Sequence, residues 1–238
     1  MDDGRTIVID SRFNGPRLSG NGGYTAGMVA RHVDAEDAVE VTLRAPIPLD
    51  TPMTLRRNGE GGHVLKNGEQ LVCEARPASL ALDPPGPQDW ATVERLSAGG
   101  GSPDDTDFHW CVVCGRGRAV GDGLRVFGLR LDDRPMSLSL YDPHPVHAAP
   151  DGRIDSAFLW GALDCPGAWA VQDPDDWRPA VTGRMTGRIF QRPEPGEACM
   201  VVGWKTGAEG RKLFAGTALY TRTGTLCALA LSTWILLG

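Results

Sequence analysis

The chain has 238 residues, a formal net charge of −6, an isoelectric point near 5.4 and 41% hydrophobic residues. That is enough apolar material for one large cored domain or two small ones, and an acidic balance without a basic stripe excludes nucleic acid as the expected partner. The six cysteines, at 73, 111, 114, 165, 199 and 227, are scattered in a way that suits free thiols in a reducing cytoplasm rather than a disulfide framework. The opening Met1-Asp-Asp-Gly-Arg5 predicts neither a secretory signal nor a transit peptide. The longest apolar run, Leu226 to Leu237 broken by Ser232 and Thr233, is too short to span a bilayer and reads as a buried strand, so no membrane partner is expected.

In chain order, the β-branched residues 5–13 predict a strand, and Asn14-Gly15-Pro16 a turn. Ser19-Gly-Asn-Gly-Gly-Tyr-Thr-Ala then opens a helix predicted over 20–33, with Asn21 as a cap whose oxygen takes an orphan N–H of the first turn. Alternating strands follow at about 38–47, 52–58, 62–66 and 69–76, with turns at 58–62 and at Asn67-Gly68. Residues 83–106, rich in Pro, Gly and Asp, have linker composition, with a possible short helix over Trp90 to Leu96. A β-rich stretch at 124–141 precedes residues 153–170, the stretch around which the chain is organised.

There the caps Asp155 and Ser156 begin a helix that should run to about Cys165, where Pro166 and Gly167 end or kink it. On a 3.6-residue period Ala157, Trp160, Gly161 and Asp164 share one face, and the rest of the surface is almost wholly apolar. A carboxylate in such a helix is costly unless hydrogen-bonded, paired or placed at a wet pocket, so Asp164 is either a structural hydrogen-bonder or a site residue. Strands are predicted near 181–190, 197–205, 211–220 and 225–236. Thr223-Gly224 before Leu226-Cys227 echoes Asn67-Gly68 before Leu71-Val72-Cys73, and Pro193 to Glu197 echoes Leu49 to Pro52, so the chain reads as two copies of one unit. The boundaries are 1–82 for the first, 83–106 for the linker and 107–238 for the second.

One helix on an antiparallel sheet, duplicated, resembles a double hotdog fold of the α+β class, each repeat a sheet wrapped around one long central helix. Cys111-Val-Val-Cys-Gly, followed by Gly123-Leu-Arg-Val-Phe127, resembles the Cys-Phe-x-Cys-Gly…Gly-Leu-x-Leu-x-Phe opening of acyl-CoA thioesterases of the phenylacetyl-CoA type. In that family the central helix starts with His-Gly-Gly and carries a catalytic Asp or Glu nine residues later. Asn21-Gly22-Gly23 matches the start, with Asn for His, but nine positions on stands Ala30. Asp164 matches the carboxylate, but nine positions before it stands Asp155. Each repeat keeps the half that the other lost, which implies one composite acyl-CoA thioesterase site between the repeats.

On that resemblance, Gly22 and Gly23 offer an oxyanion hole at a helix N-terminus, Asn21 caps the helix and touches substrate, and Asp164 is the general base or nucleophile. The alternative for Asn21-Gly-Gly is a tight strand-to-helix turn. Tyr24, Met28 and Trp160, with Phe158, line an acyl tunnel or are plain core. Among the basic residues of the second repeat, Arg184, Arg188, Arg192, Lys205, Arg211 and Lys212, the last two are expected to bind coenzyme A phosphates, and the others to be solvated strand ends. The partner is an acyl-CoA or acyl-carrier thioester, coenzyme A entering as part of the substrate and no other cofactor being expected. Association into homo-oligomers is compatible with this. Cys111-x-x-Cys114 has ligand spacing, but no second pair exists, so no metal is expected and the thiols read as small buried side chains. Asp142-Pro-His-Pro-Val-His147 resembles the Asp-x-Asn-Pro-x-His motif of hotdog enoyl-CoA hydratases, which makes a hydratase using Asp142 and His147 one alternative function. A non-catalytic acyl-CoA or lipid binder is the other.

Overall fold

The computed structural model describes residues 4–59, 61–102, 104, 106–173 and 175–237. Residues 1–3 of the opening, Glu60 of the first glycine turn, and Pro103 and Asp105 of the linker lie outside the described residues. A short β1 (Arg5–Ile7) and a 3-10 turn at Ser11–Phe13 replace the single strand expected over 5–13. The Asp10 side chain accepts from the Arg12 N–H and so turns the chain out of the extended state. Helix α1 (Gly22–Ala30) follows, then β2 (Ala38–Leu43), β3 (Met53–Arg57), β4 (His63–Asn67) and β5 (Gln70–Ala78). Helix α2 (Trp90–Gly99) leads to β6 (Phe127–Arg130) and β7 (Met136–Tyr141). Helices α3 (Ser156–Ala162) and α4 (Cys165–Val171) precede β8 (Ala180–Ile189), β9 (Cys199–Glu209), β10 (Lys212–Thr221) and β11 (Leu226–Leu236).

All the strands form one antiparallel sheet in the order β1-β3-β4-β5-β2-β8-β11-β10-β9-β7-β6. Outward from the central pair β2–β8, the order β2-β5-β4-β3 is matched on the other side by β8-β11-β10-β9. The central pair runs from Val39 opposite Gly187 to Thr42 opposite Arg184, so the two halves share a continuous hydrogen-bonded ladder.

Side-chain alternation divides the sheet's faces. Val201, Leu219, Ala228 and Ala230 point toward α1 and α3 and belong to the main core. Their neighbours Met200, Val202, Ala218 and Leu229 face the other way, where Val93 of α2 covers them. The stretch with linker composition thus carries a packed helix. It is tied down further by the Tyr220 hydroxyl, which donates to the Pro85 carbonyl at 2.6 Å.

The expectation of one long helix in each half is corrected. Helix α1 has 9 residues and tapers off as His32 and Val33 donate to Val29 and Ala30, three residues back, in the tighter 3-10 pattern. Helix α3 has 7 residues, and Pro166 does not end it. The break comes at Leu163-Asp164, and Pro166 lies in the first turn of α4, where its missing N–H would have no helical partner in any case.

The two helices meet through glycine. A Cβ on Gly27 of α1 would lie 2.6 Å from the Ala157 Cα of α3, and one on Gly187 of β8 would lie 2.8 Å from the Trp160 ring. Any larger residue would push α3 off α1 or off the sheet. Among the described residues no helix is long and apolar enough to cross a membrane.

Candidate active site

Asn21 stands at the N-cap of α1, where its side-chain oxygen accepts from the Tyr24 N–H at 2.8 Å. That orientation turns the amide nitrogen toward the break between α3 and α4, where it donates to Asp164 Oδ2 at 3.0 Å. The Gly23 N–H donates to the same oxygen at 3.1 Å, and the Thr182 hydroxyl of β8 donates to Oδ1 at 2.6 Å. Asp164 is the N-cap of α4 by position, but its side chain makes no capping bond there, because both oxygens are turned to α1 and β8. A carboxylate from the second half of the chain therefore seals the first turn of a helix in the first half. The partial positive charge of that helix end suits a negative group.

Both residues are deeply buried, Asp164 at 2% and Asn21 at 2% exposure. Burial raises the Asp164 pKa from 3.8 to about 6, against the hydrogen bonds from Thr182, Gly23 and Asn21, which favour the anion. Cys111 lies close by, with its Sγ 3.9 Å from the Asn21 amide nitrogen. Its thiol is held well below the usual thiol range by hydrogen bonds from Cys114 and Cys165 and from the Cys114 and Val113 amides.

Asn21, Gly22 and Asp164 open on a cavity of about 420 Å³, with apolar walls from Leu43, Ile47, Phe108, Ala180, Trp234 and Ile235. Gly22 is the first helical residue. Gly23 donates to Asp164 and Tyr24 to Asn21, while Gly22, whose N–H has no partner within the helix, lines the cavity. A Cβ on Gly23 would lie 2.6 Å from both the Asp164 Cβ and the Trp160 carbonyl oxygen, so only glycine lets the carboxylate approach.

The other predicted residues fall elsewhere. Tyr24 stacks on Phe13 at 4.3 Å and leans on Phe158 at 5.3 Å, and burial pushes its hydroxyl up to about 12. Trp160 and Met28 pack in the core between the helices and the sheet. None of these three lines the cavity, because the helix faces that carry them look at each other or at the sheet rather than at the α1 N-terminus. Arg211 and Lys212 form no ion pair among the described residues, whereas Arg184, Arg188 and Arg192 pair with Glu40, Asp37 and Asp151. The Arg211 carbonyl accepts from the Leu236 N–H and Lys212 pairs with Ile235, which sets both basic residues beside a strand at the cavity's edge.

Asp142 and His147 do not reach this cavity. Asp142 lines a separate cavity of about 350 Å³ with His144 and Arg125. The His147 ring is 1% exposed and packed on Phe158 at 4.3 Å, and burial lowers its pKa to about 4. At the α3 N-terminus Asp155 caps its own helix and pairs with Arg31 at 2.5 Å, while Ala30 is buried without polar function.

Thr182, Phe108 and Cys165 were missed by sequence reasoning. Thr182 carried one weak signal, a β-branched hydroxyl residue in a predicted strand, with nothing to say that its face would meet Asp164.

No protein-family model and no curated protein matches the sequence. Solved structures do. A hotdog-fold protein of unknown function from Alicyclobacillus acidocaldarius is 13% identical, with a TM-score of 0.64 over 100% of this chain and 95% of its own. The tesB protein of Mycobacterium avium subspecies paratuberculosis is 11% identical, with a TM-score of 0.59 over 92% of this chain and 88% of its own. At such identities the likeness establishes the hotdog fold.

Proposed function

We propose that this hotdog-fold chain is two hotdog units fused in tandem, and that it hydrolyses an acyl thioester, of coenzyme A or of an acyl carrier, at one composite site between them. The observation that carries the reading is the Asp164 carboxylate, held at the N-terminus of α1 by Asn21 and Gly23 and opening on an apolar cavity. With a pKa of about 6 it is ionised at neutral pH yet basic enough to take a proton.

In the reaction the acyl chain lies against the apolar walls and its carbonyl faces the α1 N-terminus. Asp164 removes a proton from water as the water oxygen attacks the carbonyl carbon. The negative charge that forms on the carbonyl oxygen is met by the Gly22 N–H and the positive end of the helix. Collapse of the tetrahedral adduct expels the thiolate, which receives the proton. Gly23 and Asn21 serve differently from the sequence expectation, because their N–H groups orient the base rather than the oxyanion. Arg211 and Lys212, which form no ion pair among the described residues and lie beside the cavity edge, receive the phosphates of the carrier.

A second reading, a non-catalytic acyl-CoA binder, is favoured by the saturation of Asp164, whose two oxygens already accept three protein hydrogen bonds. A panel of acyl-CoA thioesters with a free-thiol readout, run beside an enoyl-CoA hydration assay, separates the readings. Hydrolysis lost in Asp164→Asn supports the thioesterase, hydration sensitive to Asp142→Asn would replace it with the hydratase, and silence in both with acyl-CoA still bound would replace it with the binder.

A further inference from the structure

Cys111 and Cys114 come from the loop before β6, and the fold brings Cys165, the first residue of α4, against them. The three Sγ atoms lie within 4.8 Å of one another, and Cys111 and Cys165 are 3.8 Å apart. Four sulfurs or three sulfurs and one other ligand around a tetrahedral Zn²⁺, at Zn–S distances of about 2.3 Å, put the sulfurs about 3.8 Å from each other. All three residues are buried. Cys111 and Cys165 also line the 420 Å³ cavity.

The surroundings are those of a thiolate site. The Ser102 hydroxyl is 3.0 Å from the Cys114 Sγ, and the Asn21 amide donates toward the Cys111 Sγ. Gly115 donates its N–H to the Cys111 carbonyl at 2.9 Å, and a Cβ there would lie 2.6 Å from the Cys111 N, so the glycine after the pair permits the tight turn that aims both thiols inward. Such donors offset the net negative charge of a tri-thiolate centre.

We propose that Cys111, Cys114 and Cys165 form a tri-thiolate site for a soft divalent cation, Zn²⁺ by its geometry, with the fourth position facing the cavity. Each thiol passes its proton to solvent as its sulfur bonds the ion, and no oxidation takes place. The site would fasten the loop that carries Phe108 to the residue next to Asp164, fixing two walls of the cavity with respect to each other. The sequence alone argued against metal because it shows only one cysteine pair. The third ligand stands 54 positions from Cys111 and is supplied by packing.

The test uses the full chain, reduced and stripped with chelator, without any acyl-CoA, so that its outcome is independent of thioesterase activity. Titration with Co²⁺ is expected to raise thiolate-to-metal charge-transfer absorption that saturates at one ion per chain, and Zn²⁺ is expected to displace it. Cys165→Ser should lose the band, and Cys73→Ser, at a buried cysteine of β5, should keep it. X-ray absorption on the zinc-loaded wild-type chain, which needs no variant, is expected to show three sulfur neighbours at about 2.3 Å. No charge-transfer band in the wild type, a band that survives Cys165→Ser, or fewer than three sulfur neighbours would overturn the proposal.

Discussion

The Gly23 N–H donates to Asp164 Oδ2 at 3.1 Å, across 141 positions of sequence. Through that bond a helix end in the first half of the chain orients a carboxylate in the second, whose basicity burial raises against this bond and those from Thr182 and Asn21. In the proposed hydrolysis Asp164→Asn should lower kcat by roughly 10² to 10⁴, the usual range for a positioned proton-transfer group. The variant keeps the shape of the carboxylate, so circular dichroism should show native folding. For the wild type, kcat/KM should rise with pH through a midpoint near 6, because the base is the ionised form. A pH-independent rate between 5 and 8, or full activity in a folded Asp164→Asn enzyme, would sink the assignment.

Stability should carry the same signature with the opposite benefit. In the fold Asp164 keeps its proton to about pH 6, whereas in the unfolded chain it releases it near 3.8. Between those values the native state binds more protons, so the stability contributed by this group is complete below pH 3.8 and lost as pH rises through 6. A shift of that size corresponds to a cost on the order of 3 kcal/mol at neutral pH. Asp164→Asn should therefore raise Tm at pH 7 and flatten the fall in stability between pH 4 and 6, as read by calorimetry at stepped pH. An unchanged or lowered Tm at pH 7 would mean that the charge is better compensated than the burial implies.

Thr182→Val removes the hydroxyl that donates to Asp164 Oδ1 and leaves the packing volume nearly unchanged. The anion loses a donor, so the midpoint of the pH–rate profile should move upward, and stability at pH 7 should drop by about 1–3 kcal/mol for the weakened buried carboxylate. A variant that loses stability with the midpoint unmoved would reduce Thr182 to a packing residue.

Gly27→Ala and Gly23→Ala both crowd the α1–α3 contact, but only Gly23 also borders Asp164. Each should cost about 1–3 kcal/mol by overpacking. Gly23→Ala should in addition lower kcat at the pH optimum more than Gly27→Ala does, since its new methyl displaces the carboxylate. Equal kcat losses in variants of equal stability would argue that the Gly23 approach matters only for packing.

Asp155 stands at the corresponding cap of α3, where it closes its own helix and pairs with Arg31. Asp155→Asn should leave kcat within a few-fold and cost about 1 kcal/mol or less in stability, since Asn remains a good cap and the ion pair is partly exposed. Calorimetry should find one acyl-CoA per chain. Two equivalent sites would show that the α3 end also binds.

Local chemistry carried a good part of this protein in plain sight. Asn21 and Asp155 as caps, the turn at Asn67-Gly68 and the alternation of the strands each depend on a residue and its near neighbours, and the elements begin within a few residues of where those signals stand. Asp164 was legible too, because a lone carboxylate in an apolar stretch is costly wherever it folds. What surrounds it was not. Thr182 meets Asp164 only because β8 presents that face to the break between α3 and α4, in a ladder shifted by the irregularity between Thr233 and Trp234 of β11. Pro166, a breaker by local rules, sits in the first turn of α4 because the chain had already turned at Asp164. Trp160 and Tyr24 became core rather than tunnel wall because Gly27 and Gly187 let α3 settle directly on α1 and the sheet. Caps, turns and alternation act over a few residues, while the partners of a buried carboxylate and the convergence of three distant thiols are set by packing across the whole chain.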